Sequence, residues 1–352
     1  MMDASTEPAG IRHPHAAPPA PGAATEVAPG VLWMRLPLPM RLDHVNVYAL
    51  ADDDGWTLVD TGFDTAPTRA LWEELLAGPL AGRPLRRVLV THYHPDHIGL
   101  AGWLQAAHGA ELLATRTTWL FARMLTLDVH DRPVPETLAF WRAAGMPAAM
   151  LAQHAAARPF NFADVVAPLP LGYRRVDEGQ RLHLGGRDWV VRLGQGHAPD
   201  HATLWERGGD LVIGGDQFLP AISPNLGVRA TEPEADPVGE WLDACARFVP
   251  LAREGHLVLP GHKLPFTGLP LRLRQKIDNH LGALERLRDH LATPRTAVEC
   301  FPPLFKRTID DSAFGLALVE AVAHLNHLLL RGEVVRHRRP DGAWAWQRRE
   351  RA

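Results

Sequence analysis

Five short apolar runs in this chain each end in an aspartate or a histidine. WTLVD delivers Asp60, and RRVLVTHYHPDH delivers His92, His94, Asp96 and His97. WVVRLGQGH delivers His197, LVIGGD delivers Asp216, and HLVLPGH delivers His262. Runs of this length and composition read as buried strands. Strand ends lie along one rim of a sheet, where side chains from separate segments meet. Glycine beside most of these endings permits a sharp turn and keeps side chains from crowding. The chain carries 19 histidines, so one histidine at a strand end would be unremarkable. Five endings of the same kind call for a fold that gathers them at one edge.

The residue types suit a metal site. Imidazoles and carboxylates without thiolates fit zinc, or iron or manganese, and exclude a structural cysteine zinc site. The two cysteines, Cys245 and Cys300, stand far apart with no histidine in ligand spacing. They read as free thiols in a reducing compartment. Seven donors exceed the needs of one tetrahedral ion. They match two ions ~3.5–4 Å apart that share a carboxylate.

Strand-like runs alternate with helical ones over most of the 352 residues, which implies an α/β architecture. Residues 1–27, rich in Ala and Pro, read as a disordered tail in which His13 and His15 are solvated. Residues 116–160 read as a helical insertion, with Trp119, Phe121, Met124, Leu125, Leu127, Phe140 and Trp141 as candidates for an apolar pocket wall. Packing of these residues onto the rest of the fold is the alternative reading. Residues 269–352 are helical and end in a hairpin with a basic tip, Arg336, Arg338 and Arg339. A net charge of -3 gives no general attraction to nucleic acid, so a small-molecule substrate is expected. No apolar stretch is expected to reach the ~20 residues of a membrane span. No basic-then-apolar leader opens the sequence, so a cytoplasmic protein is expected.

T-H-Y-H-P-D-H resembles the H-x-H-x-D-H motif of the metallo-β-lactamase superfamily. L-V-D-T-G, G-Q-G-H, G-G-D and L-P-G-H occur in that family's order, and the likeness covers roughly residues 30–265. The resemblance implies an αββα sandwich over 28–268, interrupted by the helical insertion, with a winged-helix-like domain over 269–352. It implies two divalent cations, zinc above iron or manganese. His92, His94 and His197 would bind the first, Asp96, His97 and His262 the second, and Asp216 would bridge them. Asp60 would brace the histidine loop; a plain Asp-Thr-Gly turn is the other reading of that residue. His201, Ser223 and Asn225 are the candidate substrate contacts. The C-terminal domain would serve dimer contact and shape the pocket mouth.

The implied activity is hydrolysis of a carbonyl substrate by hydroxide generated at a dinuclear centre, with Asp96 and Asp216 as the catalytic carboxylates. An apolar insertion favours a thioester or lactone, as in hydroxyacylglutathione hydrolase. Three alternatives stand beside it: a ribonuclease of the winged-helix branch, an iron-dependent oxygenase using one metal position, and a binding module that kept only the fold.

Overall fold

The structure, a computed structural model, describes residues 10–305 and 307–350. The chain opens with strands β1 (Thr25–Ala28), β2 (Val31–Pro37), β3 (His44–Asp52) and β4 (Gly55–Val59). Helix α1 (Ala66–Ala77), β5 (Leu85–Leu89), the short α2 (Pro95–Ile98), α3 (Ala101–His108), β6 (Glu111–Ala114) and α4 (Arg116–Leu127) follow. Next come α5 (Pro135–Ala143), α6 (Ala148–Ala156), β7 (Arg174–Arg175), β8 (Arg181–Leu184), β9 (Arg187–Gly194), β10 (His201–Glu206) and β11 (Leu211–Gly215). The last elements are α7 (Pro237–Phe248), β12 (Leu257–Pro260), α8 (Leu269–His290), α9 (Phe301–Phe305), α10 (Asp311–Leu330), β13 (Val334–Arg338) and β14 (Trp344–Arg348).

Two compact units emerge. The first holds the segment ending at Val129 together with Asn161–Pro224 and Val249–Leu273. It contains two mixed sheets, one ordered β1 through β7 and one ordered β12-β11-β10-β9-β8. Pairs within β4 to β7 are parallel, as is β11 with β12; the other pairs are antiparallel.

Side chains alternate along the strands as a two-residue period requires. Tyr48 and Leu50 of β3 join Trp33, Leu89, Trp189, Val191, Leu204, Ile213 and Leu259 in the layer between the sheets. Val45, Val47 and Ala49 of the same strand point the other way, to Leu71, Trp72 and Leu75 of α1 and Leu104 of α3. A strand covered on both faces needs no polar alternation, which is why β4 reads as a continuous apolar run. Each fully buried aliphatic side chain here contributes roughly 1.5–3 kcal/mol relative to exposure.

The first unit differs from the sequence reading at its start. Residues 10–27 pack rather than trail. Ile11 is buried, Thr267 N donates to Arg12 O at 2.9 Å, and β1 forms the edge of the first sheet. His13 Nδ1 lies 2.8 Å from Pro265 O, and the His15 ring meets Trp33 edge-on. Main-chain hydrogen bonds order this Ala/Pro-rich strap, and composition does not register them. Residues 1–9 of the expected tail lie outside the described residues.

The second unit gathers His130–Phe160, Asn225–Phe248 and the chain from Arg274 onward. A boundary at 268 therefore misses two excursions. Helices α5 and α6 of the insertion belong here, with Phe140 against the Trp344 ring at 6.2 Å. So does α7, whose approach segment is tied to α10 by Asn326 Nδ2, donating to the carbonyls of Pro233 and Ala235. Arg295 and Trp346 exchange main-chain hydrogen bonds and extend the β13–β14 hairpin. Helix α10 corrects a further expectation: its length and mean hydropathy of 1.5 would suit a membrane span. Two thirds of that stretch is buried inside the protein (67%), as in a core helix.

Candidate metal centre

All five chemistry-bearing endings lie past the C-termini of strands in the first unit. Asp60 follows β4, and the THYHPDH loop follows β5 and enters α2. Pro95 opens α2, where a missing N–H costs nothing and the fixed φ suits a helix start. That single turn places Asp96 and His97 beside each other, with His94 just before it.

His92, His94 and His197 form one group. His92 Nε2 lies 3.0 Å from His94 Nδ1, which lies 3.1 Å from His197 Nε2. Asp96, His97 and His262 form another, and His92, His97 and Asp216 a third that overlaps both. His262 Nε2 stands 3.3 Å from Asp96 Oδ2, and His97 Nε2 stands 3.6 Å from the same oxygen. Asp216 reaches both sides: its Oδ2 is 3.4 Å from His197 Nε2 and 3.3 Å from His262 Nε2. Its Oδ1 is 3.5 Å from His97 Nε2. Donor atoms around a tetrahedral zinc at ~2.0–2.1 Å are ~3.3 Å apart, so these spacings are consistent with ligand-to-ligand edges.

Two of the atoms that would face a cation make no hydrogen bond. His97 Nε2 and Asp216 Oδ1 are buried with no hydrogen bond. Buried polar atoms left so are costly unless something charged completes them. A divalent cation fits both atoms: an imidazole lone pair and a carboxylate oxygen are its natural donors.

The charges agree. Burial alone would raise the Asp96 carboxyl, but His97 and His262 outweigh it and hold it at about 2. Burial likewise opposes ionisation of Asp216, yet His262 and His97 keep it well below the usual carboxylate range. Burial would strip the proton from His262, but Asp216 and Asp96 push it up to about 9. His97 is raised well above the ordinary histidine value by Asp96, Asp216 and Asp60, against its burial. Protons on these two rings thus supply the positive charge that a cation would replace.

A shell of hydrogen bonds fixes the donors. Asp60, with φ of 62°, accepts from Thr91 N and Thr91 Oγ1, each at 2.8 Å. Its Oδ2 also accepts from His97 Nδ1 at 2.8 Å, which turns His97 Nε2 toward the centre. Left-handed backbone at a non-glycine residue is uncommon and often marks a functional turn. His262 Nδ1 donates to His44 O at 2.7 Å, with the same effect on its ring. Gly261 has no side chain because one would collide with Asp216 Oδ1.

The structure brings together all seven sequence-predicted donors, with Asp60 behind them. The proposed substrate contacts fare differently. His201 is fully buried, stacked on His92 at 4.6 Å, and its Nε2 accepts from Asp216 N at 3.1 Å. Burial first, then His197, holds it down at about 3, so it stays neutral behind the site and offers no face to a substrate. Asn225 belongs to the second unit, where its amide donates to Leu316 O and to Glu320 Oε2 at 2.7 Å. Ser223 is exposed on the first unit.

Of the apolar insertion residues, Phe121 is placed beside the centre. Its ring lies 5.2 Å from Tyr93, which also meets Phe162 at 6.2 Å and His94 at 4.7 Å. Trp119 instead stacks on Tyr173, and Phe140 and Trp141 pack within the second unit.

Sequence reasoning missed a clamp on the LPGH loop. Asn46 Nδ2 donates to the carbonyls of Pro260 and Lys263, and Tyr48 OH donates to Pro260 O at 2.8 Å. Lys263 N donates to His44 Nε2 at 3.0 Å. The signal was present as polar residues within the apolar run HVNVYAL, at alternate positions 44, 46 and 48. The network tying Thr117 and Gln195 to Asp200 was also missed. It pins the start of α4 to the loop that carries His197.

Comparison with known proteins agrees with this geometry. Residues 40–290 match the metallo-beta-lactamase superfamily, and residues 284–349 match the metallo-beta-lactamase-like C-terminal domain. A beta-lactamase domain protein from Burkholderia ambifaria has a similar structure, with TM-score 0.88 and 36% identity, over 96% of this chain and 98% of that one. A metallo-beta-lactamase family protein from Thermus thermophilus is similar at TM-score 0.75 and 27% identity, over 92% and 100%. A Bacillus subtilis (strain 168) protein named "Probable metallo-hydrolase YqjP" is 25% identical over 303 residues, 85% of this chain and 92% of its own length. The chain belongs to the metallo-beta-lactamase superfamily and is one of its metallo-hydrolases.

Proposed function

We propose that the rim holds two divalent cations and that the enzyme hydrolyses a thioester or lactone, in the manner of hydroxyacylglutathione hydrolase. The observation that carries this reading is Asp216, whose Oδ2 stands 3.4 Å from an imidazole of one group and 3.3 Å from an imidazole of the other. His92, His94 and His197 would hold the first cation, Asp96, His97 and His262 the second, and Asp216 both. Zinc suits this donor set best, with iron or manganese next. Bound there, the cations would supply a nucleophilic water at neutral pH and polarise the substrate carbonyl.

The remaining work falls to the chain. Asp60 and His44 O each hold a proton on Nδ1 of a ligating ring, which leaves Nε2 free for the cation. Asp96, beside His262, is ionised and placed to orient the attacking water. Tyr93, Phe121 and Phe162 present an aromatic wall next to His94. Such a wall suits an acyl or aryl group over a polyanion.

The α10 helix followed by the β13–β14 hairpin supports a winged-helix-like reading of the C-terminal domain. Its basic tip is partly engaged: Arg336 stacks over Trp344 at 4.4 Å and donates to Glu234 at 2.8 Å. A structural role for the hairpin is favoured over nucleic-acid binding. Cys245 and Cys300 are buried free thiols, in keeping with a cytoplasmic location.

Metal analysis paired with a panel of thioesters, lactones, β-lactams and phosphodiesters tests the reading. Thioester or lactone turnover that is lost on chelation and restored by zinc is expected. Turnover of phosphodiesters alone would overturn the substrate class.

A further inference from the structure

A second feature lies on the same unit, along α4. A cleft of about 360 Å³ is lined by Arg123, Thr126 and Leu127 of that helix and by Ala163, Val166, Pro168 and Leu169 of the segment opposite. Five of the seven lining residues are apolar, and one is a cation. The Arg123 guanidinium sits over Trp119, 5.5 Å from the ring centroid, and Nη1 donates to Leu169 O at 3.1 Å. Trp119 is itself held, stacked on Tyr173 at 4.9 Å with Nε1 donating to Pro170 O. Arg123 is therefore oriented before any ligand arrives. Among the described residues no carboxylate pairs with it. The Thr126 hydroxyl is already spent on Ala122 O at 2.6 Å.

A pre-oriented, half-buried guanidinium without a counter-ion, set in an apolar cleft, is complementary to an anion on an apolar body.

We infer that this cleft binds a carboxylate-bearing acyl or aryl group, its anion on Arg123 and its apolar body against Leu127, Val166 and Leu169. The binding does not rest on the hydrolase reading above.

Calorimetric titration of the full-length, metal-loaded protein with octanoate and with octanol separates the outcomes. Saturable binding of octanoate is expected, with octanol much weaker. Arg123→Gln should weaken octanoate by about tenfold. Ala163→Trp, which fills the cleft and spares the arginine, should abolish it. If Arg123→Gln fails to fold, the Ala163→Trp result decides alone. Octanol binding as tightly as octanoate overturns the inference, as does octanoate affinity that survives both substitutions, the mark of a carboxylate seated on the metals. Absence of octanoate binding overturns it too. None of these readouts uses turnover, so failure of the thioester or lactone assignment would leave the titration unchanged.

Discussion

In the first unit, His97 and His262 face the carboxylates of Asp96 and Asp216, and each ring is driven to hold a proton. In the second unit, His280 and His324 are as deeply buried but face each other, stacked with centroids 5.4 Å apart. There burial comes first, and neighbouring cations and imidazoles add to it. His324 and Lys276 act on His280; His327 and Arg286 act on His324, against the Glu320 carbonyl and Asp236, which raise it. The two rings are held at about 3 and about 4. One set of histidines is thus prepared for positive charge and the other excludes it. What separates them is the pair of carboxylates, not the number of imidazoles.

Removing the shared carboxylate should break the contrast most. Asp216→Ala is expected to reduce turnover to background and metal content below two per chain. Full occupancy in that variant would show that Asp216 is no bridge. Loss of the brace comes next: Asp60→Asn should lower metal affinity by ~10–100-fold, read by competition with a chelator of known affinity. Unchanged affinity would reduce Asp60 to a turn residue. Phe121→Ala should leave metal content intact and raise KM by about tenfold or less for an acyl substrate. A loss of metal there would make the aromatic wall part of the metal scaffold instead.

The smallest effect belongs to the second unit. His280 and His324 have folded values below the ordinary 6.5, so the fold favours their neutral forms. Their stabilisation is complete above pH 6.5 and is lost as pH falls toward about 4 and then about 3. Glu320, raised by burial to about 7, runs the other way. Its stabilisation is complete below pH 4.5 and is lost as pH rises through about 7. His280→Leu should therefore move the acid-unfolding midpoint down by about half a pH unit, with metal content unchanged. An unmoved midpoint would mean that the buried pair carries no such cost.

The donors were legible because each follows an apolar strand, and strands deliver their ends to a common rim whatever the rest of the chain does. Asp60 was legible for the same reason. His201 was not, since H-A-P-D-H cannot reveal that the residue opens β10 and turns its ring beneath His92. The grouping of α5, α6 and α7 with the C-terminal unit was not legible for a related cause. Helices α5, α6 and α7 are packed by partners far away in the chain, such as Trp344 and Asn326, and no local pattern announces a partner. The order of residues 10–27 rests on contacts far along the chain, such as the main-chain bonds of Arg12 to Thr267, which composition cannot report.

The most direct test of the central claim is metal per chain in wild-type protein, measured by plasma mass spectrometry after exhaustive dialysis against zinc-buffered solution. Two equivalents are expected. One equivalent or none would contradict a centre built around a shared Asp216.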